Sequence, residues 1–369
     1  MSLVLLHWTC RSVRLLPAGG VDGHQYECEL KLRHPKLRRA IMERRKGEET
    51  MQGRFMALLI GAAMALSVNS AQAQTKLTVI VFPGVQNLPM FSAQAKGFFA
   101  KRDLAVDLKF TPNSEELRGG LAEGRYQIAH SAVDNAFAMK DKANVDIAVV
   151  LGGDDSFNRL IVQPEIKSLA DLKGKTLAVD AVNTAYAFQL YEMLRQKGLN
   201  KADYEVKPVG GTGQRLEALT KDKTYAAAMM NPPFSLRAEK AGLKAIDTAA
   251  NALGAYQGSS AFVLRSWGAA NTDTVVRYIQ AYVEGLRWML DPKNKTEAVA
   301  LLAERLKLPE DVAGQAYDAT LKGFNKDGAL DMEGVRNVLK LRAQFEGGTP
   351  PAPEKYLDLS YYQKALAAM

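Results

Sequence analysis

The sequence predicts an α/β protein of two lobes, each built on a mostly parallel sheet. Three observations carry that expectation. Strand-like and helix-like segments alternate from residue 77 to about residue 151, and the same alternation restarts after Arg159. Residues 74–369 are too many for one ordinary core and suit two. From Thr272 onward the pattern turns almost wholly helical. Alternation of this kind favours parallel sheets with ligand sites near strand C-termini.

The elements follow in order. Residues 77–82 read as a buried apolar strand closed by Pro83-Gly84, and Asn87 is placed to cap a helix through about Phe99, with Pro89 in its first turn. Residues 105–110 form the next strand. Pro112-Asn113-Ser114 then opens a helix with Glu115 and Glu116 near its positive end. A strand at 127–130 leads at once into a short helix from Val133, and a strand at 145–151 ends in Gly152-Gly153. In the second half, strands are expected at 160–162, 176–179, 204–206 and 226–229. Helices are expected from Thr184 to about Lys197, closed by Gly198, from about Gln214, and after Pro233. Asp291-Pro292 and Leu308-Pro309 break the C-terminal helical region. Neither an internal repeat nor a low-complexity tract interrupts this pattern, and no apolar run after residue 74 is long enough to span a bilayer.

Residues 51–73 have a different character. Arg54 precedes an apolar run from Phe55 to Leu66, and a polar stretch ends in Ala71-Gln72-Ala73. A charged start, a short apolar core and an A-x-A site describe a secretory signal peptide cleaved before Gln74. Gln74 is not cysteine, so no lipid anchor is expected, and the location implied is the periplasm. Residues 1–50, with a Lys/Arg cluster from Lys31 to Lys46, read as a disordered leader translated upstream of a start at Met51. The alternative is a basic arm for nucleic acid or membrane, which would stand in front of an export signal.

The charge balance depends on this leader. Of 48 Lys/Arg and 40 Asp/Glu, residues 1–74 hold 11 and 6, leaving 37 and 34 and a net +3 in place of +8. That excess predicts no nucleic-acid partner. Both cysteines, Cys10 and Cys28, lie in the leader, and of four histidines only His130 follows residue 74. Disulfides, thiolate catalysis and cysteine-ligated metals are therefore excluded after residue 74, and a Ser-His-Asp triad or zinc site is poorly supplied. No catalytic residue, metal or cofactor is expected.

Four segments carry a family resemblance. Ala93-Gln94-Ala95-Lys96-Gly97-Phe98-Phe99 resembles an A-x-x-x-G-[FY]-F stretch. Residues 121–129 resemble L-x-x-G-x-x-D-[IV]-[AG], with Gln127 in place of the Asp. Residues 169–176 resemble S-x-x-D-L-K-G-K, and Asn231-Pro232-Pro233 resembles a segment after a second-lobe strand. In this order, over about residues 76–345, they are similar to the ABC-importer binding proteins for aliphatic sulfonates, taurine, nitrate and thiamine pyrimidine precursors. The resemblance implies a type II periplasmic binding fold with a two-strand hinge. Lobe one would comprise residues 74–160 and 261–369, and lobe two residues 161–260. It further implies a monomer that captures a small-molecule solute and hands it to membrane permease subunits of an ABC transporter. A secreted sensor is a second reading. A third is an enzyme like the pyrimidine synthases of the same superfamily, which need a cysteine-rich motif that is missing here.

In such a fold the ligand contacts come from loops at strand C-termini. In lobe one these supply Phe82, Gln86 and Asn87, then Asn113 and Ser114, then His130, Ser131, Asp134 and Asn135. Asp154, Phe157 and Arg159 follow at the first crossing, with Arg159 the cation best placed for an anionic solute. Lobe two supplies Asn183, Thr184 and Tyr186, then Gly211, then Asn231 and Phe234. Arg118 and Arg215 fall inside expected helices facing solvent. Competing readings exist: Asn87, Ser114 and Thr184 as plain helix caps, Asp134 as the charge of its own helix's first turn, and the aromatics as core. Gly210-Gly211-Thr212-Gly213 lacks a phosphate-loop pattern, and residues 325–333 lack calcium-loop spacing, so each reads as a turn before a helix. Amides, hydroxyls and aromatics dominate the set, which suits a ring with hydrogen-bonding edges at least as well as a simple anion.

Overall fold

The computed structural model describes residues 7–14, 24–31 and 74–369. The chain divides into two units, residues 1–72 and 73–369. In the first, β1 (His7–Arg14) pairs antiparallel with β2 (His24–Lys31), where the sequence shows no clear strand period. The rest of the expected leader and the whole signal segment, 51–73, lie outside the described residues.

The second unit holds two five-stranded sheets of matching topology. Lobe one uses β3 (Thr75–Val81), β4 (Leu104–Phe110), β5 (Ile128–Ala132), β6 (Ile147–Gly152) and β12 (Ser259–Leu264), in the order β4-β3-β5-β12-β6. Lobe two uses β7 (Arg159–Val162), β8 (Thr176–Val179), β9 (Glu205–Pro208), β10 (Tyr225–Met230) and β11 (Lys244–Thr248), in the order β11-β7-β10-β8-β9. In each sheet three neighbouring strands run parallel and one strand runs against both its neighbours: β12 in the first and β7 in the second. That strand is the one arriving from the other lobe. The parallel strands end at the cleft, so a strand that enters from across the cleft starts there and must run the opposite way.

Helices cover the sheets. In lobe one these are α1 (Leu88–Ala95), α2 (Ser114–Ala122) and α3 (Val133–Lys142). In lobe two they are α4 (Ala185–Arg195), α5 (Thr212–Lys221), α6 (Phe234–Lys240) and the short α7 (Ala249–Leu253). The C-terminal region is helical as expected: α8 (Arg265–Ala270), α9 (Thr272–Leu290), α10 (Lys295–Leu306), α11 (Glu310–Thr320), α12 (Met332–Glu346) and α13 (Ser360–Ala367). No helix among the described residues is long and apolar enough to cross a membrane.

The longest helix, α9, buries Val275, Tyr278, Ile279, Tyr282 and Leu286 in a core shared with Val79, Val81 and Phe91. Gly285 lets α9 approach α1, since a Cβ there would meet the Pro89 carbonyl oxygen at 2.2 Å. A side chain such as Phe91 contributes about 1.5–3 kcal/mol by leaving water.

The expected boundaries shift slightly. Arg159 already pairs with Met230 and Thr248 in the second sheet, and Ser259 and Ser260 already pair with Ala132 and Ser131 in the first. The crossings are therefore residues 153–158 and 254–258. They run side by side, with the Gly258 N–H donating to the Asp154 carbonyl at 2.7 Å. A third segment joins them: the Asp155 N–H donates to Gly323 and the Asn325 N–H to Gly153, both at 2.9 Å. From there residues 325–331 turn into α12, which packs on α4 of lobe two, with the Phe345 and Phe188 rings stacked at 6.0 Å. The hinge is thus two crossings braced by the C-terminal region, and one apolar core runs through it, from Ile80 and Phe137 to Leu177, Phe188 and Leu339.

Candidate functional site

A cavity opens between the lobes where the parallel strands end. Lobe one contributes Phe82 and Gln86 after β3, Ser114 at the start of α2, and Ser131 and Asn135 around the end of β5. The crossings contribute Asp154, Ser156, Phe157 and Asn158 on one side and Tyr256, Gly258 and Ser259 on the other. Lobe two contributes Asp180, Thr184, Tyr186 and Gln189, then Gly211, Thr212 and Arg215, and finally Asn231. The cavity offers ≈ 60 Å³ to the centres of water-sized molecules. One water needs roughly 10–15 Å³ on that measure, so a small solute in place of several waters fits.

Hydrogen bonds draw the lobes together over this space. The Ser114 hydroxyl donates to the Asp180 carboxylate, and the Gly211 N–H donates to the Pro112 carbonyl at 3.0 Å. The Asn231 amide donates to Gln86 Oε1 at 3.0 Å. Asn231 is in turn held by the Thr212 hydroxyl at 3.0 Å, and Thr212 by Arg215 at 3.0 Å.

Three charged groups line the cavity. Asp154 accepts from the Ser156 N–H at 2.9 Å, the Ser259 N–H at 3.2 Å and the Ser259 hydroxyl. Burial pushes its carboxyl above the usual range, against the pull of those donors. A Cβ at residue 258 would stand 2.2 Å from Asp154 Oδ1, so glycine is what lets the crossings close on that carboxylate. Arg215 is buried, with its guanidinium 5.1 Å from the Tyr186 ring centre. Its donors go to the carbonyls of Gly210 at 2.6 Å and Met229 at 3.2 and 3.3 Å, besides Thr212. Burial holds its pKa below the ordinary value, with Asp180 opposing. Burial likewise lifts the Tyr186 phenol, so it stays neutral and hydrogen-bonding. Among the described residues no group of three or more His, Cys, Asp or Glu side chains is arranged to hold a metal ion.

Eleven of the expected residues meet at this wall: Phe82, Gln86, Ser114, Ser131, Asn135, Asp154, Phe157, Thr184, Tyr186, Gly211 and Asn231. Seven do not. Asn87 is buried and its amide donates to the Phe82 carbonyl at 2.7 Å, without capping a helix. Asn113 is the cap of α2, accepting from the Glu116 N–H at 2.8 Å, which frees its neighbour Ser114 to cross the cleft. Asp134 turns away into an ion pair with Arg342 of α12 at 3.2 Å, and accepts from the Tyr256 hydroxyl at 3.1 Å. Burial raises the Asp134 pKa, while Arg342 and Tyr256 oppose the rise. Arg159 pairs bidentately with Glu239 of α6, at 2.6 and 3.0 Å, and so is spent within lobe two. Asn183 stands half-buried in the loop after β8, and Phe234 packs beside Leu216 and Leu219.

His130 is the seventh. It lies buried between Tyr282, with ring centres 5.1 Å apart, and Tyr278, at 5.8 Å, and its Nε2 has no partner. Burial drives its pKa down to about 3. An unfolded histidine titrates near 6.5. As pH falls below that value the unfolded chain takes up a proton that the folded chain refuses, so stability drops by about 1.4 kcal/mol per pH unit until about pH 3. His130→Phe should therefore flatten the fall in urea-unfolding free energy between pH 6.5 and pH 4. Parallel slopes for the two proteins would show that His130 is solvated.

Sequence reasoning missed Asp180, Gln189, Arg215, Tyr256 and Ser259, and did not single out Ser156, Asn158 and Thr212 within the loops expected at the cleft. Gln189 and Arg215 carry a signal that could have found them. Each stands three residues after a wall residue, Tyr186 and Thr212, on the same helical face.

With the geometry in hand, comparison with known proteins is direct. A family model described as NMT1/THI5 like matches residues 85–298. The chain belongs to that family. No curated protein matches it. Among solved structures, this NMT1/THI5-like chain is similar to the ligand-binding component of an ABC-type import system from Staphylococcus aureus. The TM-score there is 0.68 at 17% identity, over 79% of this chain and 99% of that one. The periplasmic nitrate-binding protein of Synechocystis PCC 6803 gives 0.66 at 14%, over 80% and 89%. A desulfurization enzyme gives 0.59 at 14%, over 79% and 99%. These likenesses show the fold: the two-lobed α/β architecture of type II periplasmic binding proteins.

Proposed function

We propose that this NMT1/THI5-like protein is an extracytoplasmic solute-binding protein, delivering a small organic molecule to the permease of an ABC importer. The observation that carries the reading is the composition of the cavity wall, drawn from both lobes and both crossings and bridged by Ser114–Asp180, Gly211–Pro112 and Asn231–Gln86. A solute touching both lobes binds the closed arrangement better than an open one, and that difference is what drives closure. The aromatic faces of Phe82 and Tyr186, with hydroxyls and amides around them, suit a flat ring with polar edges. The binding proteins for import and for nitrate that share the fold support the transport role. We assign the site binding and no covalent chemistry.

A thermal-shift screen of the purified protein tests this, with aromatic acids, pyrimidines, taurine, sulfonates and nitrate in the panel. A solute at one hundred times its Kd adds about 2.7 kcal/mol, a shift of several degrees. At least one selective shift is expected. No shift from any solute, together with no small molecule carried through purification, would contradict the reading.

A further inference from the structure

The nitrogen-bearing side chains of the cavity wall are largely committed within the protein. Gln86 donates to Phe82, Asn135 to Ser131, Gln189 to Ser156, Asn231 to Gln86, and Arg215 to two carbonyls and Thr212. Asn158 donates to Gln189 Oε1 at 2.7 Å. What it leaves over is an acceptor: Asn158 stands in the cavity wall, and its Oδ1 is buried without a hydrogen-bond partner.

The direction of that amide follows from its neighbours. Asp134 pairs with the Arg342 guanidinium, and as a carboxylate it can only accept, so Tyr256 must donate its hydroxyl hydrogen to it. The Tyr256 oxygen beside Gln189 is then an acceptor, which favours the Gln189 amide nitrogen on that side, where it also reaches the Ser156 hydroxyl at 3.0 Å. Gln189 Oε1 is thereby turned to Asn158, whose own nitrogen must face it. A buried ion pair, one hydrogen bond behind the cavity-lining Tyr256, thus sets the polarity of one side chain in the wall.

We propose that Asn158 Oδ1 is a specificity-determining acceptor that requires an N–H or O–H donor on the solute. Solutes that present only acceptor oxygens, such as sulfonates, carboxylates and nitrate, are refused. The reason is the cost of leaving a buried acceptor unmet. The inference rests on the solute-binding reading and deepens it.

Four probes of one ring size test it by calorimetry: benzamide, N,N-dimethylbenzamide, benzoate and benzenesulfonate, against the parent protein and Asn158→Leu. Benzamide should bind the parent about tenfold more tightly than the other three. That preference should vanish in Asn158→Leu, with N,N-dimethylbenzamide affinity unchanged. Equal or tighter binding of benzoate, benzenesulfonate or the dimethyl amide would overturn the proposal, as would a uniform loss of all four in the variant. Should none of the four bind, the solute that copurifies with the parent, identified by mass spectrometry, decides. A solute with no N–H or O–H donor overturns the proposal, and one with a donor whose affinity falls in Asn158→Leu supports it. No probe bound, no copurified solute and no shift from any solute of the thermal-shift panel would overturn the solute-binding reading itself, and this inference with it.

Discussion

Asp134→Ala should destabilise the protein by about 3–5 kcal/mol in urea unfolding at neutral pH, the usual cost of removing one partner of a buried ion pair. The carboxylate and the Arg342 guanidinium are both almost wholly buried, and once the Asp134 side chain is gone Arg342 keeps Glu346 and a 3.4 Å contact to the carbonyl of residue 134. The guanidinium also lies 5.2 Å over the Phe188 ring of α4, so its displacement reaches the lobe-two side of the hinge. Tyr256 loses its acceptor in the same step. A stability within about 1 kcal/mol of the parent would show that water reaches the pair. The effect on stability is the decisive contrast with a ligand contact, whose loss would lower affinity and leave the empty protein's unfolding free energy alone.

Arg215→Met carries the second large effect, a loss of about 3 kcal/mol or more. Methionine matches the stem in length but offers no donors, so the buried Met229 carbonyl loses two of them, at roughly 1–3 kcal/mol, and the half-buried Gly210 carbonyl loses one at a smaller cost. The Thr212–Asn231–Gln86 sequence of hydrogen bonds across the cleft also loses its anchor. Thermal unfolding of the solute-free protein checks the expectation. A change below about 1 kcal/mol would return Arg215 to the solvent-facing position that its helix suggested.

Much of the architecture could be read from the chain because it rests on local signals. The apolar runs are buried along all of β6, over residues 226–230 of β10 and over residues 79–81 of β3, which is why they appear as continuous stretches. Gly97, Gly124 and Gly174 have positive φ, and each sits in one of the segments that carry the family resemblance. The candidate loops were legible too, because any parallel strand delivers its C-terminal loop to the cleft.

What could not be read is which way individual side chains turn. His130 and Ser131 are neighbours on β5, and alternation sends one into the tyrosines of α9 and the other into the cavity. That parity is invisible until the sheet's two faces are known. Asp134 finds its partner 208 residues away on α12, a pairing no local pattern announces. Arg159 has the right place for an anion clamp but a carboxylate from α6 reaches it first. The expected caps slipped for the same reason: Asn113 takes the cap of α2, and Ser114, one residue on, meets Asp180 across the cleft.

Closure on a solute is the central claim, and the chain is well suited to measuring it. No cysteine follows residue 28, and Phe110 at the end of β4 and Val182 after β8 are exposed, at 47% and 53%, one on each lobe at the rim of the cleft. With Cys10 and Cys28 replaced by serine, spin labels on Phe110→Cys and Val182→Cys would report the interlobe distance by electron–electron resonance. The account predicts a broad or long distance without solute. It should become short and narrow when a solute that shifts the melting temperature is added, and recover when that solute is removed. A distance distribution that stays the same at saturating solute would contradict it.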